Sequence, residues 1–440
     1  MISINTAERW KKVRLSSLFY ENVSKNTDFA EQKAFQFYFG TIVPKKEYEL
    51  TEELIETYKK YTLIEPGDIM INGLNLNYDF VTQRVGLVQE RGIITSAYLS
   101  LRPRRDINTR YYAYLLKAVD AQKLFHGLGT GIRLTLSFKE IKNLQLPVPP
   151  NSEQDQIVKF LDWKMSSINR HVSTKRKQIT LLHEILAVYI SEVVTNGLNE
   201  NNHTRDSHVE WIGNIPEHWN TIRCKYLFTE RDERSAEGLE QHLSMSQKYG
   251  LVPDSQLDER RMLSESYKGG KLCYENDLVL NRLKAHLGVF SLSPQFGVIS
   301  PDYTVLVPNT DRIIPAFAET VLKNERCRRE LRIRVRGIIE GFWRLYTDDF
   351  NTIVLPVPPI EEQREIMEHI STFKENIKKY EKILKQEIEA LQELKTRIIA
   401  DAVTGKIDTR SVEIPEYEYV TDEADNSIKD NELNETDQEE

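Results

Sequence analysis

Three cysteines in 440 residues, Cys224, Cys273 and Cys327, are too few and too scattered for a disulfide framework or a zinc site. They point to a reducing cytoplasm. Long apolar runs are missing too: no 18 consecutive apolar residues occur, so no membrane span is expected. The opening MISINTAERWKKVRL lacks the apolar core of a signal peptide. Catalytic signatures are equally scarce. There is no GxxxxGK[ST] phosphate cradle and no HExxH. The nine histidines are dispersed, and His203, His208 and His218 lack metal-ligand spacing. Gly127-x-Gly129-x-Gly131 follows a helical pattern rather than a strand and reads as a turn. Asp254, Glu265 and Lys268 are too loosely spaced for a nuclease carboxylate set, and the Asn-or-acidic-Pro-Pro-aromatic tetrapeptide of an amino-methyltransferase is absent. These absences weigh against a self-contained enzyme.

What is present is a repeat. Leu146–Leu198 begins LPVPPNSEQDQIVKFLDW, and Leu355–Ile407 begins LPVPPIEEQREIMEHIST, at an ungapped offset of 209 residues. The same offset pairs Trp10 with Trp219, Leu18-Phe19 with Leu227-Phe228, and Asp68 with Asp277. A period this long is not that of a solenoid, whose units run about 20–50 residues. It is one head-plus-rod unit written twice. Hydrophobic content of 40% and charged content of 29% fit a soluble globular chain.

The first head, residues 1–148, mixes short β-rich runs (Gly67–Ile71, Val85–Glu90) with helical patches at Thr51–Tyr61 and Arg110–Phe125. The second, residues 199–357, repeats the scheme: Asn276–Asn281 matches Gly67–Asn72, and Pro315–Arg329 matches the late helix, with proline suitably at its start. Each head is expected to be α+β with a mostly antiparallel or mixed sheet. The rods, 149–198 and 358–410, follow prolines that cannot lie in a helix interior. Apolar residues then step by threes and fours, from Ile157 to Val193 and from Ile366 to Ala402, over about five heptads. Each rod of this length would be ~66 Å long. They are expected to pair with each other, antiparallel; the competing reading packs each rod on its own head. Trp10 and Trp219 are expected to anchor the first strand of each head.

The net charge of −8 hides a polarity. From Ser411 onward 12 Asp or Glu face one Lys, and removing this −11 segment leaves residues 1–410 at +3. Residues 411–440 read as a disordered acidic tail, either merely solvated or competing with DNA for the basic surface. Basic and amide side chains cluster in the heads. In the second these are Asn281, Arg282, Lys284 and His286, then Arg332, Arg334 and Arg336, which would point one way if they lay on a strand, then Trp343 and Arg344. In the first they are Asn72, Asn75, Asn77, Gln83 and Arg84, then Arg102, Arg104, Arg105 and Arg133. Arginine suits bidentate contact to guanine, Asn or Gln to adenine, and all the cations suit phosphate. Any one of them alone reads as a solvated charge; as sets they point to double-stranded DNA.

The two LPVPPxxEQxxI segments, the heptad rods ending VVTNG and AVTGK, the IPEHW before the second head, and the GDIMIN and NDLVLN strands resemble the specificity subunit of Type I restriction–modification systems. The resemblance covers residues 10–410; the acidic tail is outside it. It implies two target-recognition domains separated by two long helices that form an antiparallel coiled coil. It implies a bipartite DNA target and no active site or cofactor in this chain. It also implies two modification subunits using S-adenosylmethionine, restriction subunits using ATP and Mg, and a base flipped out by the partner enzyme. Two readings compete with it: a self-contained methyltransferase or nuclease, and a coiled-coil scaffold with no DNA role.

Overall fold

The computed structural model describes residues 7, 9–38, 40–46, 49–76, 83–129, 134–199, 201, 203–247, 249–257, 267–337 and 343–421. The chain divides into two compact units, Met1–Arg176 with Leu384–Glu440, and Lys177–Ile383. Both long helices, Asn151–Asn196 and Ile360–Val403, are therefore shared between the units.

The unit containing the first head is built around a four-stranded antiparallel sheet in the order Phe19–Glu21, Leu99–Pro103, Ile69–Ile71, Val85–Leu87. A second sheet of four short strands includes one parallel pairing, Ala34 with Ile93. Thr51 caps the helix Glu52–Lys59 by accepting from the Leu54 amide. Helix Thr109–Ala121 buries Tyr111, Tyr112, Leu115, Leu116 and Val119, the face its periodicity announces. The unit containing the second head has the same four-stranded order: Phe228–Arg231, Tyr303–Pro308, Leu278–Asn281, Phe290–Leu292. Its late helix departs from the expected single element. Asn324 breaks it into Pro315–Lys323 and Glu325–Arg334, because the Asn324 side chain caps the second piece by accepting from the Arg326 amide.

The repeat holds down to single hydrogen bonds. Lys11–Arg14 pairs with Gln145–Val148 in the register that Asn220–Arg223 and Val354–Val357 copy. Leu15 N–H donates to the Leu144 carbonyl (2.9 Å), as Cys224 N–H does to Ile353 (2.7 Å). The glutamine of each LPVPPxxEQ segment is fully buried. Gln154 Nε2 donates to the Pro149 carbonyl and Gln363 Nε2 to Pro358, both at 2.8 Å, which fixes the angle at which strand becomes helix. Trp10 and Trp219 are buried where they seal a helix end: a Cβ on Gly405 would stand 2.6 Å from the Trp10 ring, and one on Gly197 3.2 Å from Trp219. Both glycines have positive φ, 75° and 77°, as helix C-termini favour.

Within each unit the helix segments run antiparallel. In the first, Lys395 Nζ donates to Asn169 Oδ1 (3.1 Å) and Lys175 pairs with Glu387 (2.6 Å), so partner numbers fall as numbers rise. In the second, His183 meets Glu381 (3.2 Å) and Tyr189 stacks on Phe373 with ring centroids 4.2 Å apart. One window of Asn151–Asn196 has the length and apolarity of a membrane-crossing helix. Val193 and Val194 lie in the core, with Tyr189 and Ile190 packed against it, whereas Leu181, Ile185 and Val188 are more than half exposed.

The stretch that composition reads as disordered is ordered as far as Thr421. Gln156 Nε2 donates to the carbonyls of Thr409 (3.1 Å) and Val412 (2.8 Å). Ser166 Oγ donates to Glu418 O and accepts from Val420 N, both at 2.7 Å, and Asn169 Nδ2 donates to Val420 O (3.0 Å). The strap runs in the same direction as the helix. Its backbone carbonyls, not its acidic side chains, do most of the holding, which is why composition misleads here. Residues 422–440 lie outside the described residues.

Candidate nucleic-acid interface

In the second head the predicted residues converge. Strand Leu278–Asn281 delivers Asn281, whose Oδ1 accepts from the Leu283 amide (3.1 Å) and starts a turn. Arg282 follows, its Nε donating to the Asp302 carbonyl (2.7 Å). Lys284 is exposed, and His286 lies on the one-turn helix Ala285–Leu287. The Leu345 amide donates to the Arg282 carbonyl (3.0 Å), drawing Trp343 and Arg344 to the same place. Trp343, 40% exposed, meets the His286 ring edge-on at 5.8 Å. Arg344 and Arg336 exchange two backbone hydrogen bonds, 2.9 and 2.8 Å. Burial, and then the neighbouring Arg332, hold the His286 imidazole below its usual range, and its Nδ1 is buried without a hydrogen-bond partner among the described residues.

The three alternating arginines do not lie on a strand. Arg332 and Arg334 belong to the helix Glu325–Arg334, so a spacing of two splits them to different sides. Arg332 stays exposed, 3.6 Å from Glu325, whereas Arg334 turns in, to Glu330 O (2.9 Å) and to Thr352 Oγ1 (3.0 Å). Arg336 is exposed and pairs with Asp349. The face thus assembled carries Arg282, Lys284, Arg332, Arg336 and Arg344 around one indole and one imidazole. It can neutralise phosphates, and it presents a flat aromatic surface beside forked donors.

The first head disperses its candidates. Arg84 is 1% exposed, and its guanidinium donates to the carbonyls of Asn72 (3.0 Å), Leu74 (2.7 Å) and Asn75 (3.4 Å). It is an interior strut for the Asn72–Asn75 turn and cannot reach a phosphate. Arg102 makes a bidentate pair with buried Asp68 (2.8 and 2.7 Å), which pushes the guanidinium pKa up. Its counterpart is supplied from a different strand in the second head, where Arg231 holds Asp277 (2.9 Å). Arg104 caps the carbonyls of Ser16 (2.9 Å) and Phe19 (3.3 Å) and stacks on Tyr20, while Arg105 is exposed. Asn72 makes a local turn bond from the Leu74 amide (3.1 Å), Asn75 is exposed at φ 52°, and Gln83 is half-buried. The register Ile69 to Leu101 and Ile71 to Leu99 places Asn72 and Asn75 at the sheet end opposite Arg104 and Arg105. Asn77 and Arg133 lie outside the described residues.

One difference between the heads had no sequence signal. The Leu136 amide donates to Gly73 O (2.9 Å) just as Leu345 does to Arg282, yet a Cβ on Gly73 would stand 2.4 Å from the Leu136 carbonyl oxygen. The first loop is shut at the point where the second carries Arg282. Among the described residues no cluster of His, Cys, Asp or Glu could hold a metal ion. Asp254 instead bonds His242 Nδ1 and Ser244 Oγ, each at 2.5 Å, and Glu265 is outside the described residues.

The model of the Type I restriction modification DNA specificity domain matches residues 7–181, one head with much of its helix. The chain is 22% identical over 437 residues to the Type I restriction enzyme MjaVIII specificity subunit of Methanocaldococcus jannaschii, covering 94% of this chain and 96% of that one. It is 23% identical over 323 residues to the putative type I restriction enzyme MjaX specificity subunit of the same organism, covering 70% and 71%. A solved chain described under complex assembly and conformational transition of the type I R-M system has the same fold. Its TM-score is 0.61 at 14% identity, over 91% of this chain and 99% of that one. With the repeated heads, the antiparallel helices and the matched lead-ins, the chain resembles the specificity subunits of Type I restriction–modification systems over nearly its whole length.

Proposed function

We propose that this chain is the DNA-reading subunit of a Type I restriction–modification complex, with recognition domains at 1–148 and 199–357 that each read one half of a bipartite target. The observation that carries the reading is the repeat itself. Two heads share strand order, register and hinge hydrogen bonds but differ in their loops, as Gly73 and Arg282 do. Identical frames with different loops suit two different half-sequences on one duplex. The chain recognises; it is not itself an enzyme. Methylation and cleavage then belong to companions: two modification subunits holding S-adenosylmethionine, and restriction subunits using ATP and Mg, all in the cytoplasm.

The DNA-facing set in the second head is Asn281, Arg282, Lys284, His286, Arg332, Arg336, Trp343 and Arg344. In the first head it is Asn75 and Arg105; Asn77 and Arg133 are candidates by sequence alone. The modification subunits have a surface to meet on the first long helix, where Leu181, Ile185 and Val188 are more than half exposed at helical spacing. Expressing the chain with and without a modification subunit, and mapping methylated adenines genome-wide by single-molecule sequencing, tests the reading. A split motif with a fixed unread gap, seen only with both proteins, is expected. Methylation by this chain alone, or no motif with both, refutes it.

A further inference from the structure

The strap Thr409–Val420 occupies one of two places that the repeat makes equivalent. In the first unit it lies against Ser166 and Asn169 of the first long helix, with Arg110 of the helix Thr109–Ala121 donating to the Tyr419 hydroxyl (2.8 Å). Ser166 is left 1% exposed and Met165 6%. The 209-residue offset carries Arg110, Tyr114, Met165, Ser166, Asn169 and Arg170 onto Glu319, Lys323, Lys374, Glu375, Lys378 and Lys379 of the second unit. There the matching face is open: Glu375, Lys378 and Lys379 are exposed and Lys374 is half-buried. Both faces are cationic, but the first is covered, with Arg110 and Arg170 among its residues and Arg170 paired with Glu418 of the strap (3.4 Å), and the second is bare. Four lysines stand against two carboxylates, one of them, Glu319, already bonded to Lys323 (2.7 Å). The Lys374 ammonium is held below its usual pKa by burial, with Lys323 and Lys378 adding to the effect against Glu319. A further anion would relieve that crowding.

We propose that the face formed by Lys323, Lys374, Lys378 and Lys379 docks an extended acidic polypeptide segment of a companion subunit, as its twin face holds this chain's own strap. The strap shows that this junction of head and long helix accepts extended backbone. It also carries Glu413, Glu416 and Glu418, the last of them paired with Arg170 (3.4 Å), so an acidic segment has the charge that the four lysines of the open face would meet. The proposal rests on the partner docking proposed above, and its site is separate from the apolar stripe at Leu181, Ile185 and Val188.

The test places a photo-crosslinking amino acid at Lys374, and separately at Glu375, in the full chain assembled with its modification subunit and a DNA duplex. Mass spectrometry then identifies what is attached. An acidic stretch of the companion is expected. Attachment only to DNA, only to another copy of this chain, or to nothing in an assembled complex overturns the proposal. In parallel, K374E with K378E should weaken assembly about tenfold, K374R with K378R should leave it unchanged, and DNA affinity of the chain alone should not move in either. Loss in both pairs would also overturn it. Failure of the unsubstituted chain to assemble at all would instead sink the docking reading itself, and this proposal with it.

Discussion

Gln154 and Gln363 are the same residue of the same repeated motif, yet replacing them should have unequal effects. Gln363 makes three buried bonds. Its Nε2 donates to Pro358 O (2.8 Å) and Arg312 O (3.0 Å), and its Oε1 accepts from the Ile314 amide (2.8 Å), where the helix Pro315–Lys323 begins. Among the described residues Gln154 makes one, to Pro149 O, and its Oε1 is buried with no partner. In the first unit the corresponding helix start is tied elsewhere, by Asn108 Nδ2 to Asp155 Oδ1 (2.7 Å). Leaving a buried polar group unpaired costs about 1–3 kcal/mol. Gln363→Ala orphans three groups and should destabilise its surroundings by about 3 kcal/mol. Gln154→Ala orphans one while removing another, and should cost at most about 1 kcal/mol. The assay is amide hydrogen exchange read by mass spectrometry on the full chain. Peptides spanning 312–323 should exchange roughly a hundredfold faster in Gln363→Ala, and those spanning 109–121 at most about fivefold faster in Gln154→Ala. Equal acceleration in the two variants, or none in the first, would refute the reasoning.

Arg84→Ala should lower the unfolding midpoint while leaving unchanged the slope of log affinity against log salt for DNA. Arg332→Ala and Arg344→Ala should each reduce that slope by about one without loss of stability, measured by fluorescence anisotropy across a salt series. His286 is neutral when buried and protonates in the unfolded chain, so its contribution to stability is complete above the ordinary histidine range and fades as pH falls through that range toward its depressed native value. If a phosphate docks beside it, the proton is regained on binding, and DNA affinity should rise as pH falls. His286→Gln should flatten both profiles, seen in thermal unfolding and binding at pH 5 to 8, and an unchanged profile would remove His286 from the interface. Leu181→Glu with Ile185→Glu should abolish capture of the modification subunit in size-exclusion chromatography yet preserve DNA binding by the chain alone.

The sequence made the architecture legible because its signals are long. A repeat of 209 residues and two uninterrupted helical seams tolerate local error, and the antiparallel pairing of Lys175 with Glu387 and of His183 with Glu381 follows from them. The site was legible only as a composition. Arginines at 332, 334 and 336 fit a strand by spacing, and only the cap at Asn324 makes the segment a helix. Arg84 and Arg102 have the right chemistry for DNA and are consumed by three carbonyls and one carboxylate, contacts that depend on which loop folds back where. His286 and Trp343 sit 57 residues apart, and nothing in either neighbourhood announces the other. The strap was missed for a related reason: composition weighs side chains, and its anchor points are backbone carbonyls.

The hydrogen bond from the Ala7 amide to the Thr404 carbonyl (2.8 Å) has a bearing on how the molecule is made. The second unit is a single uninterrupted stretch, 177–383, complete as soon as it leaves the ribosome. The first unit is not: its own head emerges first, but Gly405, against which Trp10 packs, lies 229 residues after Arg176. At about 5–20 residues per second, the 229 residues from Arg176 to Gly405 take roughly 10 to 50 seconds to synthesise. For that interval Trp10 lacks its contact with Gly405, while its twin at Trp219 has met Gly197 already. The order of synthesis therefore leaves the first unit, and not the second, waiting for a distant segment of its own chain.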